Sequence, residues 1–173
     1  TDTPLFRDFP DVFSEEYVTR ASTYAEGLRV WRDDRNMIGY FMRNEPNWAF
    51  VYDLNLAEEM LANPAPLASK RRFVDWLRER YGGDVQSWLR ARGLDGGRAE
   101  PAFADVTDFP DIIAAPRYRT TTALPGSRDD LKAFSRLLID RYVRVPAEAL
   151  RRVDPHHLNL GMRYAYITDP DLL

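Results

Sequence analysis

Met37-Ile38-Gly39-Tyr40-Phe41-Met42-Arg43-Asn44-Glu45-Pro46 runs from a nearly unbroken apolar segment straight into an amide, a carboxylate and a proline. Residues 38–42 lack the polar alternation of a half-exposed strand and are too few for a helix, which predicts a strand covered on both faces. Pro46 has no N–H to extend a ladder, so pairing is expected to stop near Glu45. A carboxylate at the carboxyl end of a buried parallel strand sits on a rigid support beside a pocket, which makes Glu45 the first candidate for chemistry.

Outward from this stretch, the upstream sequence predicts one helix. Ser14 is a good N-cap, Glu15 and Glu16 suit a first turn, and Tyr17, Val18, Ala21, Tyr24, Ala25 and Leu28 recur as an inner face to about Val30. Residues 5–13 form an aromatic loop before it, and Arg32-Asp33-Asp34-Arg35-Asn36 turns the chain into the strand.

Downstream, residues 47–52 are an aromatic segment. Short helices are then predicted over 54–61, over 69–80 behind a Ser69 cap, and over 85–92 behind an Asp84 cap. Trp76 and Trp88 fall on apolar stripes and read as packing residues. Residues 94–127 are rich in glycine and proline and read as a long loop. Helical spacing returns over 128–153, with Pro146 expected to kink it. After the turn Asp154-Pro155-His156-His157, residues 158–164 read as a second strand that carries Arg163 and Tyr164 to its carboxyl end. The adjacent histidines diverge in direction and read as turn or surface residues rather than as metal ligands. Two helix-then-strand units imply a parallel α/β sheet.

Composition narrows the function classes. A formal net charge of -3 and a pI near 5.5 give no electrostatic case for nucleic acid or an anionic membrane. No apolar run approaches the roughly 20 residues of a membrane helix. Cysteine is absent, which removes disulfides and thiolate metal sites but fits either redox compartment, so localisation is not readable. The chain opens on Thr1 rather than methionine, as a partial or processed sequence does.

The segment from Arg32 through I-G-Y-F-M-R-N-E-P, and the later V-D-P-H-H-L-N-L-G-M-R-Y, resemble the fourth and fifth strand regions of retaining glycoside hydrolases of the large TIM-barrel clan. β-Agarase and family 42-type β-galactosidase sequences are the nearest likenesses. The intervening F-V-D-W-L-R-E-R-Y-G-G-D-V-Q-S-W-L resembles the helical insertion after the fourth strand of those enzymes. The resemblance implies a partial (β/α)8 barrel covering about strands 4 and 5, mostly helical by content. It forms one partial catalytic domain: residues 14–46 as helix and acid/base strand, 47–127 as insertion and loop, 128–166 as helix and following strand. It further implies that Glu45 is the acid/base, that Asn44 contacts the 2-hydroxyl of the sugar at the cleavage point, and that no cofactor or metal takes part. Its partners would be a carbohydrate substrate and the remainder of the barrel.

The residues agree with that assignment. Retention needs a carboxyl group that protonates the leaving oxygen and then activates water, and an amide beside it suits a sugar hydroxyl. Trp48, Phe50 and Tyr52 offer flat apolar surfaces, and Trp48, Arg163 and Tyr164 join Asn44 as expected substrate contacts. The mechanism also needs a second carboxylate about 5 to 5.5 Å from the first. Asp33 and Asp34 stand at the wrong end of the strand, well over about 20 Å away at roughly 3.3 Å per residue, and Asp169 and Asp171 lie in the tail. A complete barrel has eight strands in about 250 residues. The sequence therefore reads as the middle of a glycosidase barrel whose nucleophile lies elsewhere and which is inactive alone. The alternative is a non-catalytic helical interaction or carbohydrate-binding domain that keeps part of the barrel.

Overall fold

The Ser14 hydroxyl accepts the Tyr17 N–H at 3.1 Å and, with Glu15 and Glu16 in the first turn, starts helix α1 at Glu15–Gly27. A computed structural model describes residues 3–91, 107–114 and 125–164 of the chain. They fall into two units, Thr1–Leu54 with Arg136–Leu173, and Asn55–Ser135.

In the first unit, α1 tightens into a 3-10 turn at Leu28–Trp31. The following polar turn is held by the Asn36 N–H on the Asp34 carboxylate (2.9 Å). The chain then forms β1 (Gly39–Tyr40) and β2 (Arg43–Asn44), which pair in parallel with β3 (Leu158–Asn159) and β4 (Met162–Arg163). Gly39 stands opposite Leu158 and Asn44 opposite Arg163, a constant register. The bonds Leu160 N–H to Tyr40 O and Met42 N–H to Gly161 O carry the pairing across the gap between the strand pieces. Gly39 is required here by close approach, since a Cβ at that position would lie 2.2 Å from the Leu158 carbonyl oxygen.

Helix α6 (Pro125–Val153) carries Pro146 inside it without a break and gives its residues from Arg136 onward to this unit. Ala25 of α1 meets Ala149 and Val153 of α6, small side chains that let the helices approach closely. The Tyr17 hydroxyl donates to the Tyr142 carbonyl at 2.7 Å. Before α1, Phe6 and Phe9 bridge one another in a tight turn, and Leu5, Phe9 and Val12 are fully buried.

Several expectations need correction. The Met37 strand is not covered on both faces: among the described residues Ile38 is 74% and Phe41 62% exposed, and Leu158 opposite is 58% exposed. An apolar run signals burial only if a layer lies over it, and two short strands supply none on that side. Val18 and Tyr24, expected on the inner face of α1, are also exposed, because α1 buries only a narrow stripe around Ala25.

The second unit is helical. Asn55 caps α2 (Leu56–Ala62) by accepting the Glu58 N–H, and the Ser135 hydroxyl joins it, donating to Asn55 and accepting the Ala57 N–H, each at 3.0 Å. Helix α3 (Ala68–Arg80) starts after Leu67, not at Ser69, which lies buried inside it. It ends where Gly82 and Gly83 take positive φ and the Gly83 N–H returns to the Arg78 carbonyl. Helix α4 (Val85–Ala91) buries Trp88 completely, while Trp76 stacks on Phe73 and leans on Phe134. Residues 94–127, expected to be mostly loop, hold helix α5 (Phe109–Ala114) and the start of α6; apart from Thr107 and Asp108, the rest of that span lies outside the described residues.

Candidate active site

Because β2 and β4 are parallel, their carboxyl ends leave the sheet on the same side. Past the last registered pair, Asn44 and Arg163, the Glu45 N–H donates to the Arg163 carbonyl at 2.8 Å. Pro46 then ends the ladder. Glu45 has φ of 44°, in the left-handed region. A non-glycine residue there costs on the order of 1–3 kcal/mol and persists only where its surroundings enforce it, commonly at functional sites.

Arg163 ties the end together. Its Nη1 donates to Asn44 Oδ1 at 2.8 Å, and its Nη2 lies 3.5 Å from Glu45 Oε1. A guanidinium has donors only, so the amide oxygen of Asn44 must face it, which leaves the two Nδ2 hydrogens for another partner. A carboxylate, an amide donor and a cation thus converge on one rim, with Glu45 and Arg163 both solvent-accessible.

Asp8, which periodicity gave no reason to single out, closes the other side of the bend. Its carboxylate accepts Arg43 Nη2 at 2.7 Å, the Asn47 N–H at 3.0 Å and the Trp48 N–H at 2.8 Å, so that it caps the 3-10 turn Asn47–Ala49. Burial alone would raise its pKa, but the Asn47 and Trp48 amides and Arg43 outweigh that and hold it below the usual carboxylate value.

Trp48 is only 3% exposed. Its ring meets Phe9, Tyr142 and Tyr164 edge-on, at centroid distances of 5.2, 5.6 and 6.1 Å, so it supports the site from beneath instead of offering an open face. Tyr164 is partly buried, and burial followed by the neighbouring Tyr142 pushes its hydroxyl up to about 12, which keeps it neutral. Phe50 and Tyr52 are exposed. A concavity of about 720 Å³ opens between α1, the strands and α6, with Tyr17, Tyr24, Tyr40, Met42 and Asn44 in its wall.

The opposite end of the strands carries a second polar cluster. Asp154 is buried, accepts the Tyr40 hydroxyl (2.7 Å) and the N–H groups of His156 and His157, and lies 2.6 Å from His157 Nδ1. The other ring nitrogen of His157 lies 2.9 Å from the Asp34 carbonyl oxygen. Both ring nitrogens face acceptors, an arrangement that favours the imidazolium form of His157 over either neutral tautomer. The Asp154 bond and the Asp34 carbonyl accordingly raise its pKa. His157 is therefore no surface residue; it clasps the turn before β1 to the turn before β3. No group of three or more metal-ligating side chains occurs among the described residues.

The fold and site together describe a parallel α/β unit with a carboxylate, an amide and an arginine at its strand ends. Solved structures share that fold. The chain aligns over 99% of its length with an exo-β-agarase (TM-score 0.76, 18% identity, 23% of that chain) and with the agarase AgWH50C (TM-score 0.75, 18% identity, 24% of that chain). It aligns over 90% with PfGH50B (TM-score 0.68, 18% identity, 22% of that chain). The chain thus spans about a quarter of the length of these proteins, and at such identity the likeness is one of fold. No protein-family model and no curated protein matches the sequence.

Proposed function

We propose that this chain is part of a glycoside hydrolase that cleaves β-linked, galactose-containing oligo- or polysaccharide with retention of configuration. One observation carries the reading: an Asn44-Glu45 pair ends a parallel strand, gripped by Arg163, in a fold shared with part of β-agarases. Glu45 protonates the departing glycosidic oxygen as the second carboxylate attacks the anomeric carbon. As a carboxylate it then takes a proton from the water that breaks the glycosyl ester, restoring both groups. Asn44 Nδ2 donates to a hydroxyl of the bound sugar, a contact that strengthens as positive charge develops on the ring. Tyr164 lines the same rim and Trp48 backs it. The second carboxylate, and the strands that pair with the free edges of β1 to β4, come from the remainder of a (β/α)8 barrel.

The test is Glu45→Gln in the longer protein that carries this chain. Loss is expected to be largest for agarose-type substrates with poor leaving groups and milder for aryl β-galactosides, with azide restoring part of the aryl activity. Equal, modest losses without azide rescue remove Glu45 from the role, and sugar binding without turnover in the unmodified protein favours a non-catalytic carbohydrate-binding module.

A further inference from the structure

We infer that Asp8 is a positioning residue for Glu45. This rests on the acid/base reading of Glu45 for its catalytic meaning, though not for its geometry. The Asp8 carboxylate holds Arg43, just before Glu45, and the backbone amides of Asn47 and Trp48, just after it, all within 3.0 Å. Those contacts bracket Glu45, whose φ of 44° is one of three left-handed non-glycine values among the described residues, with Arg7 and Asp53. Inside the bracket Glu45 is fixed by one further backbone bond, to the Arg163 carbonyl.

The support is itself rigid. Asp8 sits in the turn closed by Phe6 and Phe9, and Phe9 stacks on Tyr142 at 4.9 Å while meeting Trp48 edge-on. Arg7, beside it, donates to the Asn47 carbonyl at 3.2 Å, so two adjacent residues of this turn grip the same point of the active-site loop. A helix cap alone needs the two amides. The added bond to Arg43 spends the carboxylate on both flanks of Glu45, which gives the N-terminal turn control over where the Glu45 side chain stands.

The experiment uses the 173-residue chain with 13C-labelled glutamate and 15N-labelled backbone, and compares it with Asp8→Asn and Asp8→Ala. Exchange of the Asn47 and Trp48 amides is expected to accelerate by tenfold or more in Asp8→Ala and less in Asp8→Asn. The Glu45 amide and side-chain carboxyl resonances should move in the same order, with His157 resonances unchanged. Faster exchange at Asn47 and Trp48 with the Glu45 resonances unmoved would reduce Asp8 to a simple cap and overturn the proposal. Should Asp8→Ala unfold, Asp8→Asn and Arg43→Ala, which removes one arm and leaves the amide cap, must still shift Glu45. Unfolding of the near-isosteric Asp8→Asn would make Asp8 a folding residue and likewise overturn it. In the longer protein, Asp8→Asn should lower kcat more than it raises KM. If that protein has no glycosidase activity at all, the acid/base reading fails while the exchange and resonance results stand.

Discussion

Arg163 Nη1 donates to Asn44 Oδ1 across 2.8 Å while the same guanidinium lies 3.5 Å from Glu45 Oε1, so one side chain from β4 orients both polar residues at the end of β2. The bond decides which end of the Asn44 amide remains for a ligand. Lysine would keep the charge and lose the planar fork that reaches two neighbours at once. In the longer protein, Arg163→Lys is expected to lower kcat/KM by about 10–100-fold, a loss of roughly 1.4–2.7 kcal/mol of transition-state binding. Steady-state kinetics on one aryl and one polymeric substrate checks it.

The Asp154–His157 clasp gives stability a dependence on pH at the strand ends remote from Glu45. The folded pKa of His157 is raised by its bond to Asp154. Its contribution is therefore fully present below the unfolded value of about 6.5 and lost as pH rises through the higher folded value. Asp154 is shifted the other way: burial opposes its charge, but Tyr40 and His157 more than compensate and hold its pKa far below normal. Its contribution is present above about 3.8 and lost as pH falls through the folded value. Thermal unfolding followed from pH 5 to 9 should show the midpoint falling on the alkaline side, and His157→Gln should flatten that limb.

What the sequence discloses and what it hides divide along the range of the interaction. The Ile38–Met42 run and Pro46 are local signals that placed Glu45 at a strand end, and the run over 158–164 placed Arg163 and Tyr164 at the end of its neighbour. The parallel pairing 39–44 with 158–163 followed from two helix-then-strand units. Asp8 meets Arg43 and Trp48, and Tyr40 meets Asp154, only through the tertiary fold, and no periodicity marks such pairs. His157 lies in the turn that its sequence neighbours indicate, but its bond to the Asp34 carbonyl comes only from the tertiary fold. The exposure of Ile38 and Phe41 was equally hidden, since an apolar run does not say what lies over it.

Gly39 is expected to admit no side chain. A Cβ would stand 2.2 Å from Leu158 O and 2.9 Å from its carbonyl carbon, both backbone atoms that cannot turn aside. Gly39→Ala should force β1 and β3 apart and destabilise the first unit by about 1–3 kcal/mol, the usual cost of overpacking. Hydrogen exchange at Leu158 and Leu160, whose N–H groups bond across this pair, should rise more than exchange in α3. Equal protection in the variant and the parent chain would count against the close approach.

Trp48 separates support from recognition. Its ring is buried against Phe9, Tyr142 and Tyr164. Trp48→Phe removes the indole N–H while keeping an aromatic ring, and Trp48→Ala opens a cavity. Alanine is expected to cost about 3–5 kcal/mol and phenylalanine much less, by chemical denaturation. Binding of a galactose-containing oligosaccharide, measured by calorimetry on the longer protein, should survive in Trp48→Phe. A large loss of affinity at unchanged stability would return Trp48 to the substrate surface.

The backbone of Glu45 offers a test that separates strain from side-chain chemistry. Glu45→Gly and Glu45→Ala both delete the carboxylate and its contact with Arg163, so neither should support acid/base function. They differ in what they permit at φ of 44°. At an ordinary position alanine is favoured over glycine by roughly 0.4–1 kcal/mol, because glycine adds freedom to the unfolded chain. A left-handed residue reverses the order, since only glycine occupies that region without a Cβ clash. Glu45→Gly is therefore expected to be the more stable variant by about 1 kcal/mol, and possession of the glutamate is then a cost in stability retained for what the side chain does. Urea denaturation of the two variants side by side checks the sign. If Glu45→Ala proves the more stable, the bend is unstrained, and the constraint assigned to Asp8 and Arg163 has nothing to oppose.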